Sequence, residues 1–179
     1  MVYLIELLGN KSIVKLLDFF ISNPKKELSQ IKIKNKTKLS KATLTKWLCK
    51  LEKEEFIKVK KEGVSKLYKL DNDNLIIKHI KIINNITKLK DVVKLSKKRN
   101  IKIWLYGSVA RGEDIEESDI DLLLIGNIKK EDIITDINKL SDKINKKIQI
   151  KIFTPLEWYG LSKKDKAFYE RVEKDKIEL

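Results

Sequence analysis

The chain has one cysteine, Cys49, and one histidine, His79, among its 179 residues. A single thiol excludes a disulfide framework and leaves no cysteine zinc site of ordinary composition. With one imidazole, a mechanism needing a histidine general base has only His79 to draw on. No apolar run approaches the roughly 20 residues that a membrane span requires. The region after Met1 lacks the basic-then-apolar layout of a secretory signal. These absences set the expectation of a cytoplasmic protein in a reducing compartment, with no membrane partner. The length suits one large domain or two small ones, enough to bury a real core.

What is abundant is lysine. Lys and Arg number 40 against 26 Asp and Glu, a formal net charge of +14. Residues 1–90 hold 21 bases against 9 acids, whereas residues 91–179 hold 19 against 17. A uniformly lysine-rich surface would not leave the second half nearly balanced. The first half is therefore expected to bind a polyanion.

Asn10-Lys11-Ser12 opens a helical pattern of Ile13, Val14, Leu16, Leu17 and Phe20. Asn23-Pro24 ends it, because proline disfavours helix at the residue before it. Ser29 is placed to cap a short helix reaching about Asn35, and Ser40 to cap a third. In that third helix Leu44, Trp47, Leu48 and Leu51 fall on one stripe, expected to be buried. Lys41, Thr43, Thr45, Lys46 and Lys50 take much of the remaining surface. Two strand-like runs, 56–60 and 66–70, then flank a tip containing Gly63 and carry Lys58, Lys60, Lys61, Lys66 and Lys69.

The segment KELSQIKIKNKTKLSKATLTKWLCKLEKEEFIKVKKEGVSKLYKL resembles the winged helix-turn-helix family along its length. The resemblance implies that the helix starting at Ser40 lies in the major groove of double-stranded DNA and that the hairpin is a wing on the backbone or minor groove. Lys41, Thr43, Thr45, Lys46 and Lys50 are then the candidate contacts from the helix, and Lys60, Lys61 and Lys66 those from the wing. Lysines neutralise phosphates without reading sequence. The helix offers no arginine for bidentate guanine recognition, so modest direct readout is expected. A role limited to protein contact or dimerisation is the alternative for such a domain.

From Asn74 to about Lys98 the pattern predicts a long helix with at most one break. Leu75, His79, Ile82, Ile86, Leu89 and Val93 make a narrow seam, and Ile76, Ile80 and Ile83 a second stripe. A helix with two apolar faces must bury both. The expectation is a connector that also pairs two chains in a homodimer, with His79 packed rather than ligating.

The second half is organised around YGSVARGEDIEESDIDLLLIG, residues 106–126. Ile101–Leu105 reads as a strand running into Gly107-Ser108, and Asp119–Ile125 as a second strand ended by Gly126. A helix is expected within 128–147, a third strand over 148–153, and one closing helix over 162–176. Gly107 permits close backbone approach, and the turn at Ser108 can aim amide groups at phosphate. Asp119 and Asp121, two apart, project from one strand face. Two such carboxylates suit a Mg²⁺ ion that also binds nucleotide phosphates. Arg111 is placed either to contact a phosphate or to bind the acidic loop 113–117.

GSVARG followed by SDIDL at this interval resembles the nucleotidyltransferase superfamily that includes DNA polymerase β, particularly its minimal single-domain members. The resemblance implies that Gly107 and Ser108 hold a nucleoside triphosphate and that Asp119 and Asp121 ligate Mg²⁺ and are catalytic. It also implies a third carboxylate on a later strand, which helps deprotonate the attacking hydroxyl. On strand 148–153, Ile148, Ile150 and Ile152 face the core, so Gln149 is the expected occupant of that third position, with Lys151 beside it. Glu113, Asp114 or a group on the substrate is the alternative source of the missing function.

The expected fold class is α/β. A winged helix over 1–72 is followed by a connecting helix over 73–98 and a nucleotidyltransferase-like mixed sheet with flanking helices over 99–179. This arrangement resembles a group of prokaryotic, archaeal-type regulators. The function expected is a DNA-binding transcriptional regulator with a nucleotide- and Mg²⁺-binding domain of reduced or lost transfer activity. The alternatives are an active nucleotidyltransferase acting on a protein or nucleic acid, and an antitoxin-type interaction protein with a protein partner.

Overall fold

The computed structural model describes residues 9–179. The chain divides into two compact units, Met1–Lys78 and His79–Leu179.

Among the described residues, three capped helices build the first unit. Helix α1 (Lys11–Ile21) starts at Asn10, whose side chain accepts from the Ser12 N–H, and buries Ile13, Leu16, Leu17, Phe20 and Ile21. Helix α2 (Gln30–Thr37) is capped by Ser29 and ends at Lys38 in the left-handed conformation. Helix α3 (Lys41–Lys53) is capped by Ser40 and buries Leu44, Trp47, Leu48 and Leu51, the stripe that its sequence spacing predicts. Each cap satisfies an N–H that the first helical turn leaves without a partner. Strands β1 (Leu28–Ser29), β2 (Ile57–Glu62) and β3 (Ser65–Leu70) form an antiparallel sheet in the order β1-β3-β2. The β2–β3 hairpin turns at Gly63, where φ is +57°.

Helix α4 (Leu75–Lys88) is followed by α5 (Lys90–Arg99), the break falling at Leu89. Its buried face corrects the sequence expectation. Ile77, Lys81, Asn85 and Leu89 are buried at successive four-residue steps, while Leu75 and His79 are exposed. The displacement has a physical cause: Asp114 is buried and needs a cation, and Lys81 supplies it.

The second unit is a four-stranded sheet between two helical layers. Its strands are β4 (Lys102–Tyr106), β5 (Ile120–Ile125), β6 (Ile148–Phe153) and β7 (Ile177–Glu178), in the order β6-β5-β4-β7. Strands β5 and β6 are parallel, so α6 (Lys130–Ile144) makes the crossover between them. Alternation sorts the side chains onto two faces. Ile103, Leu105, Ile120, Leu122 and Leu124 pack with Val92 and Leu95 of α5 and Ile133 and Ile137 of α6. Trp104, Tyr106, Leu123 and Ile125 face the other way, onto Trp158, Phe168 and Val172. Because both faces are covered, β5 reads as an almost unbroken apolar run.

The chain's end departs from the single closing helix expected over 162–176. Thr154 and Glu157 form a capping box with Pro155 in the first turn, so α7 (Pro155–Lys164) begins seven residues earlier than expected. Asp165 then caps a separate helix, α8 (Lys166–Asp175), and β7 returns to pair with β4. No helix among the described residues is long and apolar enough to cross a membrane.

Candidate active site

The turn after β4 and the start of β5 meet at Gly107 and Asp121. Tyr106 is the cross-strand partner of Asp121, which brings the next residue, Gly107, against that carboxylate. Gly107 has φ +78°, and a Cβ there would lie 2.6 Å from Asp121 Oδ2. Only glycine fits both the left-handed backbone and the contact. The turn closes through Arg111 N–H to Gly107 O at 3.2 Å and Glu113 N–H to Ser108 O at 2.9 Å. Ser108, the next residue of that turn, is half-buried.

Asp119 stands immediately before β5 and Asp121 within it. Asp121 pairs in register with Gln149 on β6. Gln149 donates from Nε2 to Asp119 Oδ2 at 3.2 Å, and Lys147 Nζ lies 3.6 Å from the same oxygen. The residue at the expected third-carboxylate position thus presents an amide donor to the first aspartate. Burial pushes the Asp121 carboxyl above the usual aspartate range, and the charge of Asp119 adds to the push. Lys151 and Arg171 oppose it. Both cations lie against the Phe168 ring, Lys151 Nζ at 3.9 Å and Arg171 Cζ at 5.5 Å from its centroid.

The chemistry available is that of two adjacent carboxyl groups, one of which, Asp121, burial disfavours as the anion, beside a close-approach turn and flanked by cations. No group of three His, Cys, Asp or Glu side chains suited to a metal exists among the described residues. The donor set still fits one hard divalent ion. Mg²⁺ commonly takes one or two carboxylates and completes its octahedron with water and substrate phosphate.

Arg111 is engaged. Its Nε donates to Glu113 Oε2 at 2.8 Å and its Nη1 to Asp175 Oδ2 at 3.1 Å. The acidic loop is held from beneath by two lysines. Lys81, fully buried, donates to the Asp114 carbonyl and sits 3.5 Å from its carboxylate. Lys146 lies 3.8 Å from that carboxylate and donates to Ile115 O and Ser118 O. Desolvation lowers the Lys81 pKa, and the Asp114 charge resists the shift. Neither Lys81 nor Arg171 stood out in the sequence. A lysine on an isoleucine-rich helix carries no sign that it will be buried, and Arg171 reaches the site only because α8 folds across the sheet.

In the first unit the predicted basic residues lie as follows. Lys41 and Lys46 on α3 are exposed, and Lys46 and Lys50 flank the Trp47 ring at 5.3 and 5.7 Å. The two threonines are engaged locally: Thr43 accepts from Ser40 Oγ, and Thr45 donates to Lys41 O while accepting from Gln30 Nε2. On the hairpin Lys60, Lys61 and Lys66 are exposed, and Lys61 pairs directly opposite Lys66. Neither member of that pair has a carboxylate partner among the described residues, although like charges in this arrangement repel.

Comparison with known proteins bears on the second unit. The family model described as nucleotidyltransferase domain matches residues 86–174. No curated protein matches the chain. A solved structure that matches in part is that of NolR from Sinorhizobium fredii, 20% identical, covering 48% of this chain and 78% of NolR at a TM-score of 0.38. That score is too low to assign a fold. Residues 86–174, which include the Gly107 turn, both aspartates and the Gln149 strand, are thus the part of the chain that is similar to a nucleotidyltransferase domain.

Proposed function

We propose that this protein is a DNA-binding transcriptional regulator whose nucleotidyltransferase domain binds a nucleoside triphosphate with Mg²⁺ and has weak or no transfer activity. The observation that carries the reading is the Gln149 amide, in register with Asp121 and donating to Asp119. An amide cannot take a proton from an attacking hydroxyl near neutral pH.

Asp119 and Asp121 would hold the Mg²⁺, whose contribution when bound is to neutralise phosphate charge. Gly107 lets the turn approach the triphosphate and Ser108 adds a hydroxyl. Lys151 and Arg171 place positive charge on the same side as Asp121. Arg111 would reach a phosphate only on leaving Glu113 or Asp175. We assign DNA contact to residues 1–72, through Lys41, Lys46, Lys50, Lys60, Lys61 and Lys66, with Thr43 and Thr45 supporting the helix. The unpartnered Lys61–Lys66 pair supports that assignment, because a polyanion relieves its repulsion. The segment 73–98 is the proposed dimer contact, supported by Ile76 and Ile83, which are 49% and 61% exposed.

One experiment addresses both halves. Wild type, Asp119→Ala/Asp121→Ala and Gln149→Asp are incubated with labelled nucleoside triphosphates and Mg²⁺, alone and with duplex DNA. The expected result is salt-sensitive duplex binding that nucleotide with Mg²⁺ alters, no label transfer by wild type, and transfer gained by Gln149→Asp. A second reading, an active nucleotidyltransferase, is favoured by the intact Asp119–Asp121 pair against Gly107. Wild-type label transfer that vanishes in the double alanine variant would establish that reading and overturn the first.

A further inference from the structure

A sizeable open cavity in the second unit lies away from the carboxylates. It encloses about 870 Å³ and is lined by residues from the end of α5, the first half of β4, the end of β5, and helices α7 and α8. Its volume falls in the range of small-molecule sites, about 300–1,000 Å³. The strand register measures its distance from the active site. Tyr106 pairs with Asp121, whereas the lining residues Trp104 and Lys102 pair with Leu123 and Ile125, two to four residues farther along β5, about 7–13 Å at roughly 3.3 Å per residue. Phe168 and Val172 of α8 pack on the sheet between them.

The lining is aromatic within and basic at the rim. Trp104 and Trp158 are buried, Trp158 packs on Tyr169 with ring centroids 4.9 Å apart, and Tyr159 is 71% exposed at the mouth. Three lysines converge there. Lys176 lies 5.0 Å from the Trp104 ring centroid and 5.8 Å from that of Trp158, and is paired with Glu173. Lys97 and Lys102 are exposed, and neither has a carboxylate partner among the described residues. Asn100 and Asn127 add side-chain amides, which both donate and accept. Lysine at the end of α5 also complements the helix dipole, but that does not account for Lys102 on the strand or for an open aromatic cavity beside it.

We infer that this cavity is a second, metal-independent nucleotide site, taking a nucleobase against Tyr159 and Tyr169 with its phosphate on Lys97 and Lys102. Lys102 Nζ lies 6.0 Å from the Trp104 ring centroid, and an aromatic platform flanked by cations that no carboxylate neutralises is an arrangement by which proteins hold bases and their phosphates. The site is separate from the Asp119–Asp121 cradle and does not depend on what that cradle binds. The ligand is a free mononucleotide or the phosphorylated end of a single strand, which share this chemistry.

The test uses the full chain carrying Asp119→Ala/Asp121→Ala, so the cradle is disabled, and Trp47→Phe, so that Trp104 and Trp158 report alone. It is titrated in EDTA with adenosine monophosphate and, in a second arm, with a 5′-phosphorylated trinucleotide. Fluorescence and calorimetry are read together. The expected result is one ligand per chain with a change in tryptophan emission, and at least tenfold weaker binding in Lys97→Glu/Lys102→Glu and in Tyr159→Ala. These positions are exposed, and an unchanged melting temperature confirms that each variant is folded. Binding in the first arm identifies a mononucleotide site, and binding in the second alone identifies a strand end. Absence of binding in both arms, affinity unchanged in the lysine variant, or equal competition by inorganic phosphate would overturn the inference.

Discussion

Replacing Gly107 with alanine tests the cradle most directly, because two costs separate there. The first is conformational: φ +78° is a left-handed value, and a residue with a Cβ is held there at about 1–2 kcal/mol. The second is steric, since the new Cβ would stand 2.6 Å from Asp121 Oδ2 and 3.5 Å from its Cγ. The carboxylate must swing away to restore ordinary contact. Gly63 supplies the control, with φ +57° and nothing within 4 Å of an added Cβ. Gly63→Ala should therefore show the conformational cost alone, lowering Tm by about 2–8 °C at roughly 2–4 °C per kcal/mol for a chain of this size. Gly107→Ala should lose more stability and also lose Mg²⁺-dependent nucleotide binding by tenfold or more. Asp121→Ala removes the clashing oxygens, so Gly107→Ala made in that background should cost no more than Gly63→Ala. A thermal-melt double-mutant cycle combined with calorimetry reads all of this. Equal costs of Gly107→Ala in the two backgrounds, or unchanged nucleotide binding, would refute the claim that this glycine exists to admit Asp121.

Asp121→Asn should stabilise the protein at neutral pH, because burial and the Asp119 charge raise the Asp121 pKa and the fold favours the neutral form. The gain over wild type should shrink as pH falls through the raised value toward the ordinary aspartate pKa near 3.8, where wild type is itself protonated. A difference that grows on acidification would contradict the assignment. Lys81→Met should cost on the order of 3 kcal/mol in urea unfolding by leaving Asp114 buried without its nearest cation. Adding Asp114→Asn should recover part of that loss, and failure to recover any would show that Lys81 acts through packing alone. Lys61→Gln should stabilise the hairpin slightly by removing the repulsion from Lys66. The same change should reduce the salt dependence of duplex binding by about one unit of slope, and an unchanged slope would remove the wing from the DNA interface.

The elements that the sequence announced are those fixed by neighbours along the chain. Asn10, Ser29 and Ser40 start helices because a cap bonds N–H groups only two or three residues ahead. The alternation of Ile148, Ile150 and Ile152 places Gln149 on the opposite face of β6, and the pairing of Gln149 with Asp121 agrees with that placement. Tertiary demands settled the rest. Arg111 binds Asp175 across 64 residues of sequence. Strand β7 is two residues long and exists through its pairing with β4. On α4, hydrophobic periodicity favoured Leu75 and His79, yet Lys81 and Asn85 are buried, because an acidic loop far along the chain needs a counter-charge. Periodicity counts apolar residues and cannot register a buried ion pair.

The charge around the carboxylates bears on how many metal ions the site can hold. Lys147 lies 3.6 Å from Asp119, and Lys151 and Arg171 act electrostatically on Asp121. Two anionic groups thus face three cationic ones before any ion binds. Sites that use two divalent ions gather enough negative charge to hold both some 3.5–4 Å apart, as an order-of-magnitude spacing. With an amide in the third position, a second ion here would meet lysine and arginine instead of a carboxylate. Asp119 and Asp121 would hold one ion, and a polyphosphate bound with it would reverse the balance by supplying anions to Lys151 and Arg171. Nucleotide and metal should accordingly bind together or hardly at all. Calorimetry should show Mg²⁺ affinity at least tenfold higher with a nonhydrolysable nucleoside triphosphate present than without it, and by linkage the same factor for the nucleotide. Gln149→Asp should make Mg²⁺ binding less dependent on nucleotide, and equal Mg²⁺ affinity with and without nucleotide in the wild type would refute the single-ion account.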